Sequence, residues 1–265
     1  MAEEKKVVKA AKPKKLADPI AASIDPATQE LIVRAQELGI DTVYDRAVQM
    51  KPCNIGVQGT CCKNCSMGPC RLPMPKSGIE GEDTRKGLCG ATANTIAARN
   101  FIRMIAGGAS AHSDHGRCVA EVFLSAARKE SDAYKIKDID KLLLIAPHLG
   151  VATTVEVDGE EADRDVDEIA LEVAEKAMNE WGKAEGELLY AKRAPQALYE
   201  KWKKNGVVPR NIDREIVEIM HRTHIGVDMD YKNLIKQGTR AAIADGWGGS
   251  MLATDLQDVL FGTPY

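Results

Sequence analysis

Six of the seven cysteines fall between Cys53 and Cys89, in the stretch CNIGVQGTCCKNCSMGPCRLPMPKSGIEGEDTRKGLC, and two of them, Cys61 and Cys62, are adjacent. Neighbouring side chains leave the backbone in different directions, so one small metal centre rarely takes both. The crowding therefore points to two centres fed by one loop. Cys62, Cys65, Cys70 and Cys89 supply four thiolates, the number that a cubane iron–sulfur cluster needs. Cys53 and Cys61 remain as a pair, half a ligand set, which an identical pair across a two-fold axis would complete.

Other chemistries compete for the same thiols. A disulfide framework suits a secreted protein, but the N-terminus MAEEKKVVKAAKPKK is charged and has no apolar signal core. A chain of 265 residues also buries a core without covalent staples. Zinc is the stronger rival, because CxxC with two further cysteines makes a tetrahedral thiolate site. Zinc sites usually pair two separated CxxC knuckles, whereas Cys62 and Cys65 form one here. Inert thiols complete the alternatives.

A net charge of −3 gives no field that would gather nucleic acid. No run approaches the roughly 18 apolar residues of a membrane span; the longest apolar stretch is 142–147. Thiol-rich and without a secretory signal, the chain is expected in a reducing, anaerobic cytoplasm.

Residues 1–24 read as a flexible Lys/Ala-rich tail, and 25–265 as one helical domain that binds iron–sulfur clusters. Asp25 and Pro26 open a helix whose apolar positions include Leu31, Ile32, Ala35 and Leu38. A short helix over 42–50 leads into a loop, 51–87, rich in Gly, Pro and Cys. That composition suits backbone wrapped around inorganic clusters, with freed amides available to cluster sulfurs. The insert between Cys70 and Cys89 is expected on the surface. Cys89 precedes a helix that should break at Gly107–Gly108, with another following over 109–128. Further helices are expected at 165–181, at 184–204 interrupted near Pro195, at 214–224 capped by Asp213, at 231–244 and at 250–260. A short strand is expected over 142–145. The fold class is mainly α: a helical domain with an irregular cysteine-rich loop.

Three segments carry a resemblance to a known family. CNIGVQGTCCKNCSMGPCRL, GLCGATANTIAARNFIRMIAGGASAHSDHGR and HRTHIGVDMDYKNLIKQGTRAAIADGWGGSMLATDLQDVLFGTP closely resemble the N-terminal helical region of the nickel–iron carbon monoxide dehydrogenases of anaerobes. The resemblance implies a 4Fe–4S cluster shared between two subunits at Cys53 and Cys61. It implies a second 4Fe–4S cluster within each subunit at Cys62, Cys65, Cys70 and Cys89. It also implies a homodimer, ferredoxin or a similar carrier as electron acceptor, and an acetyl-CoA synthase subunit as a further candidate partner. In such an enzyme CO and water become CO2, two protons and two electrons.

His112 and His115, at i and i+3, stand where the family places a histidine ladder that carries protons away. The next rung here is Cys118, a poorer proton shuttle at neutral pH, expected as a buried structural thiol. His221 and His224 are expected to complement a helix end rather than bind metal, and His148 to be a loop residue with no evident partner. The family's Ni–Fe–S active-site cluster is bound by later α/β domains, and no cysteine follows Cys118. The 265 residues alone are therefore expected to be inactive. A non-catalytic, zinc-stabilised helical assembly module is the alternative.

Overall fold

The computed structural model describes residues 16–50 and 53–264, so the first 15 residues of the expected tail lie outside it. The chain divides into two compact units, one ending at Val57 and the other beginning at Gln58.

The first unit is built on helix α1 (Pro26–Glu37) and the short helix α2 (Val43–Ala47), followed by one turn, α3 (Asn54–Val57). Asp25 caps α1 by accepting the Thr28 N–H, with Pro26 at the first helical position, where its missing N–H costs nothing. Thr42 and Asp45 form a reciprocal capping box at α2. Residues 16–24, placed in the tail from sequence, are tied down. Asp45 accepts the Leu16 N–H (3.0 Å), and the Gln29 amide donates to the carbonyls of Ile20 and Ser23.

The second unit is organised around α4 (Ala93–Ala127), a single helix of 35 residues and about 52 Å. No break occurs at Gly107–Gly108. Each glycine costs a helix about 1 kcal/mol, but packing on the opposite face overrides that cost. Ile102, Ala106, Ala109, Ser113, Gly116, Ala120 and Phe123 form a continuous buried stripe. Against it pack α6 (Val166–Gly182), α8 (Ile212–Arg222), α9 (Tyr231–Ile243), a π-helical segment (Ala244–Leu252) and α10 (Ala253–Phe261).

Other expectations need correction. Residues 142–145 are helical, within α5 (Ile139–Ile145), because Asp138 caps the Lys141 N–H and the Lys141 ammonium is fixed by Asp255 and Asp258 at 2.8 Å each. An unforeseen hairpin pairs β3 (Thr154–Val157) with β4 (Glu160–Asp163). Its Asp158-Gly159 corner has positive φ at both residues, the turn that Asp-Gly favours. The chain does interrupt near Pro195, between a 3-10 turn (Leu189–Arg193) and α7 (Gln196–Asn205). The cap of α8 is Asn211, whose side chain accepts the Arg214 N–H at 2.8 Å. Asp213 instead reaches α4, accepting from Ser113 Oγ at 2.6 Å and Arg117 at 3.3 Å. His148 has a partner after all: its ring packs edge-on against Tyr190.

The helix crossings are close. A Cβ on Gly116 would stand 2.7 Å from the carbonyl oxygen of Gly249 and 3.1 Å from the Trp181 ring. Gly116→Ala is therefore expected to destabilise the fold by about 1–3 kcal/mol through overpacking. A thermal melt followed by far-UV circular dichroism checks this, and an unchanged midpoint would contradict it.

Candidate metal centre

Local chain geometry in the second unit carries three of the four thiols into place. Strands β1 (Cys61–Cys62) and β2 (Cys70–Arg71) pair antiparallel, with Cys62 directly opposite Cys70. The ribbon is fastened to α4 by Asn100, whose amide donates to the carbonyls of Gly59 (2.9 Å) and Cys61 (3.0 Å). Within the connection, a Cβ at Gly68 would crowd the Cys62 carbonyl and the Cys70 nitrogen at 3.1 Å each. Cys89 comes from a tight turn before α4: the Gly87 N–H donates to the Ala91 carbonyl (2.8 Å), and Gly90 has φ +89°.

Cys62, Cys65, Cys70 and Cys89 line one cavity, together with Asn64, Leu88 and Arg99. Successive strand residues face opposite ways, and Cys61 is not among its lining residues. Cys62 is 8% exposed and packs with Leu72, Ala91 and Ile96 as a small apolar wall. The loop between α8 and α9 closes the cavity with Thr223 and Ile225. Among the described residues, no group of three or more His, Cys, Asp or Glu side chains is drawn together around a single-ion position. The thiols form walls around a space instead.

The polar groups at this cavity are donors. The Leu88 N–H points at Cys70 Sγ (3.4 Å) and Arg99 Nη1 at Cys89 Sγ (3.5 Å). Burial pushes the Cys89 thiol up, but hydrogen bonds from the Ala91 N–H, the Arg99 side chain and the Gly226 N–H outweigh it. The net displacement is below the ordinary thiol value, toward thiolate. Two further donors, Asn64 Nδ2 and Arg99 Nε, are buried without any partner, and both residues line the cavity. Orphaned buried donors are uncommon and signal a missing acceptor. The site thus fits an anionic group with sulfur acceptors on its surface. At Gly87 a Cβ would stand 3.3 Å from Cys70 Sγ, so the backbone itself leaves room for the thiol.

Cys53 belongs to the first unit and is exposed, just before α3. His112 and His115 lie on an exposed face of α4, and His112 Nδ1 is 2.7 Å from Asp245 Oδ1. Cys118 is exposed rather than buried, because its spacing from His112 and His115 puts it on the same outward face. It lies 19 residues along α4 from Arg99, about 28 Å. His221 is in the last turn of α8 and His224 beyond it, both exposed. Sequence reasoning missed Arg99, Asn64, Thr223 and Ile225. The available signal was Arg99 itself, a charge set in the apolar phase of Ile96, Ile102 and Ala106.

Fold and site together define a class: a mainly helical protein with a cysteine-walled, donor-rich cavity. Residues 60–265 match the model of the Prismane/CO dehydrogenase family, and the chain belongs to that family. Carbon monoxide dehydrogenase 1 of Methanosarcina acetivorans is 48% identical over 244 residues, covering 91% of this chain and 37% of the relative. A nickel-free crystal structure of carbon monoxide dehydrogenase from Thermococcus sp. AM4 superposes with a TM-score of 0.79 at 46% identity, over 96% of this chain and 39% of that one. A solved acetyl-CoA synthase/carbon monoxide dehydrogenase, described with NiZn[Fe4S4] and NiNi[Fe4S4] clusters in its alpha subunits, gives 0.76 at 35% identity, over 96% and 37%. The chain therefore spans a little over a third of the length of these proteins. Among the described residues, no helix is long and apolar enough to cross a membrane.

Proposed function

We propose that this chain is the electron-transfer and dimerisation region of an anaerobic carbon monoxide dehydrogenase, with Cys62, Cys65, Cys70 and Cys89 holding a 4Fe–4S cluster inside the protomer. The observation that carries this reading is the meeting of four thiols and two orphaned donors at one cavity. A thiolate-bound cubane supplies low-potential, one-electron transfer there. The residues fix its position, bury Cys62 against Leu72, Ala91 and Ile96, and direct N–H groups at the sulfurs.

By family resemblance, Cys53 and Cys61 with the same pair of a second subunit hold a shared 4Fe–4S cluster. Electrons released when CO and water become CO2 and two protons would leave through the two clusters to ferredoxin or a similar carrier, in the cytoplasm. The Ni–Fe–S centre belongs to parts of the enzyme outside these 265 residues, and an acetyl-CoA synthase subunit is a candidate partner of the whole. His112 and His115 offer the start of a proton path: an Nδ1–H donated to Asp245 leaves the His112 Nε2 to accept a proton.

The test is purification without air and with ample iron. The expected protein is brown, with iron and sulfide in equal amounts, broad absorbance near ~400 nm, and no CO-dependent dye reduction. A colourless protein with stoichiometric zinc would overturn the cluster reading, and CO oxidation by the 265 residues would overturn the division of labour.

A further inference from the structure

We infer that Arg99 is the built-in counter-charge of the cysteine-walled cavity, a positioning residue whose guanidinium sets the reduction potential of the cluster held there; this rests on the proposed function of that site. Arg99 is 1% exposed and among the largest fully buried side chains of the protein. Burying a guanidinium is tolerated only against compensating negative charge. Yet none of the ion pairs among the described residues includes Arg99. Its Nη2 donates to the Asp228 carbonyl at 2.7 Å and approaches Met229 Sδ at 3.6 Å, both neutral groups. Its Nη1 faces Cys89 Sγ at 3.5 Å, and its Nε has no partner. The remaining side of this cation is the cavity that it lines.

Arginine suits this task better than lysine. It cannot shed its proton on burial, whereas a desolvated lysine can. Its fork also serves two ends: Nη2 grips the loop after α8, and Nη1 with Nε addresses the site. Thr95 Oγ1 fastens the same loop by donating to the Met229 carbonyl at 2.7 Å. The cation is therefore held in a fixed place and does not reorganise when charge arrives.

The energetic consequence has a definite sign. A cubane bound by four thiolates is anionic, and accepting an electron makes it more so. A fixed positive charge a few ångströms away in a medium of low dielectric stabilises the reduced form more than the oxidised form, and so raises the potential. Removing the charge lowers it.

The experiment is an anaerobic, EPR-monitored redox titration of the wild type and of Arg99→Gln, with iron and sulfide assayed on each sample. The signal followed is the one that Cys70→Ser abolishes. Arg99→Gln is expected to shift the one-electron equilibrium toward the oxidised form by tenfold or more, which is 59 mV or more to the negative. Arg99→Lys, if loaded, should recover most of that shift. Arg103→Gln removes the neighbouring cation, which bonds Thr223 Oγ1 and does not line the cavity, and should leave the potential in place. A fully loaded Arg99→Gln protein at the wild-type potential overturns the assignment. If the glutamine variant takes up no iron, the lysine variant decides. Loading near the wild-type potential supports the charge role, and a folded but equally empty lysine variant overturns it. A wild type that holds no iron sinks the reading of the cavity itself, a different failure from an unmoved potential in a loaded protein.

Discussion

Serine in place of Cys70 is expected to empty the cavity: the intrasubunit cluster's iron and sulfide should fall to near zero while the helical fold persists. Cys70 is closely specified by its surroundings. It faces Cys62 across the two-strand ribbon, receives the Leu88 N–H, and occupies space that the absent Cβ of Gly87 leaves open. A hydroxyl is a harder, more weakly binding donor to iron than a thiolate, and its shorter bond to carbon leaves the oxygen back from the sulfur's place. The helices should survive because the apolar packing against the site is a small cluster, Cys62 with Leu72, Ala91 and Ile96. The main core, around Phe123 in the last turns of α4 and Leu142, Ile169, Val173 and Leu256, is a separate cluster. Iron and sulfide analysis with EPR measures the loss, and far-UV circular dichroism confirms the fold. Wild-type iron in Cys70→Ser would remove this residue from the ligand set.

The cysteine arithmetic was the most legible part of the chain, because side-chain direction along a strand is a local property. Adjacency of Cys61 and Cys62 points their side chains in different directions, and Cys62 lines the cavity whereas Cys61 is not among its lining residues. The start of α1 was legible too, from Asp25 and Pro26. What could not be read depended on distant packing. The Gly107–Gly108 pair looks like a breaker until the buried stripe on the other side of α4 is known. Asp213 looks like a helix cap, but Ser113 and Arg117, about 100 residues earlier, claim its carboxylate. Residues 142–145 form an apolar run too short for periodicity to distinguish strand from helix. The closing loop at 223–226 reaches the site only through the fold, and so escaped a search along the cysteine stretch. Cys118 reads as an interior thiol, yet its helical phase with His112 and His115 places all three on one outward face.

Cys61→Ser should produce the opposite pattern to Cys70→Ser. Cys61 shares strand β1 with Cys62, so the two thiols leave the ribbon on opposite sides. The backbone at this position is held independently of its side chain, by the Asn100 amide on the Cys61 carbonyl and by the pairing of Cys61 with Arg71. Exchange of sulfur for oxygen at residue 61 should therefore leave the ribbon, Cys62 and the cavity undisturbed. If the shared cluster takes Cys61 from each protomer, one substitution removes two of its four ligands, because symmetry repeats the change. Iron should then fall from about six to about four atoms per protomer. The EPR signal assigned to the cavity should keep its potential and intensity, and the dimer should weaken on native mass measurement because the inorganic bridge across its axis is gone. Equal loss of both signals in Cys61→Ser would mean that the two adjacent thiols serve one centre, contrary to the geometry of the strand that carries them.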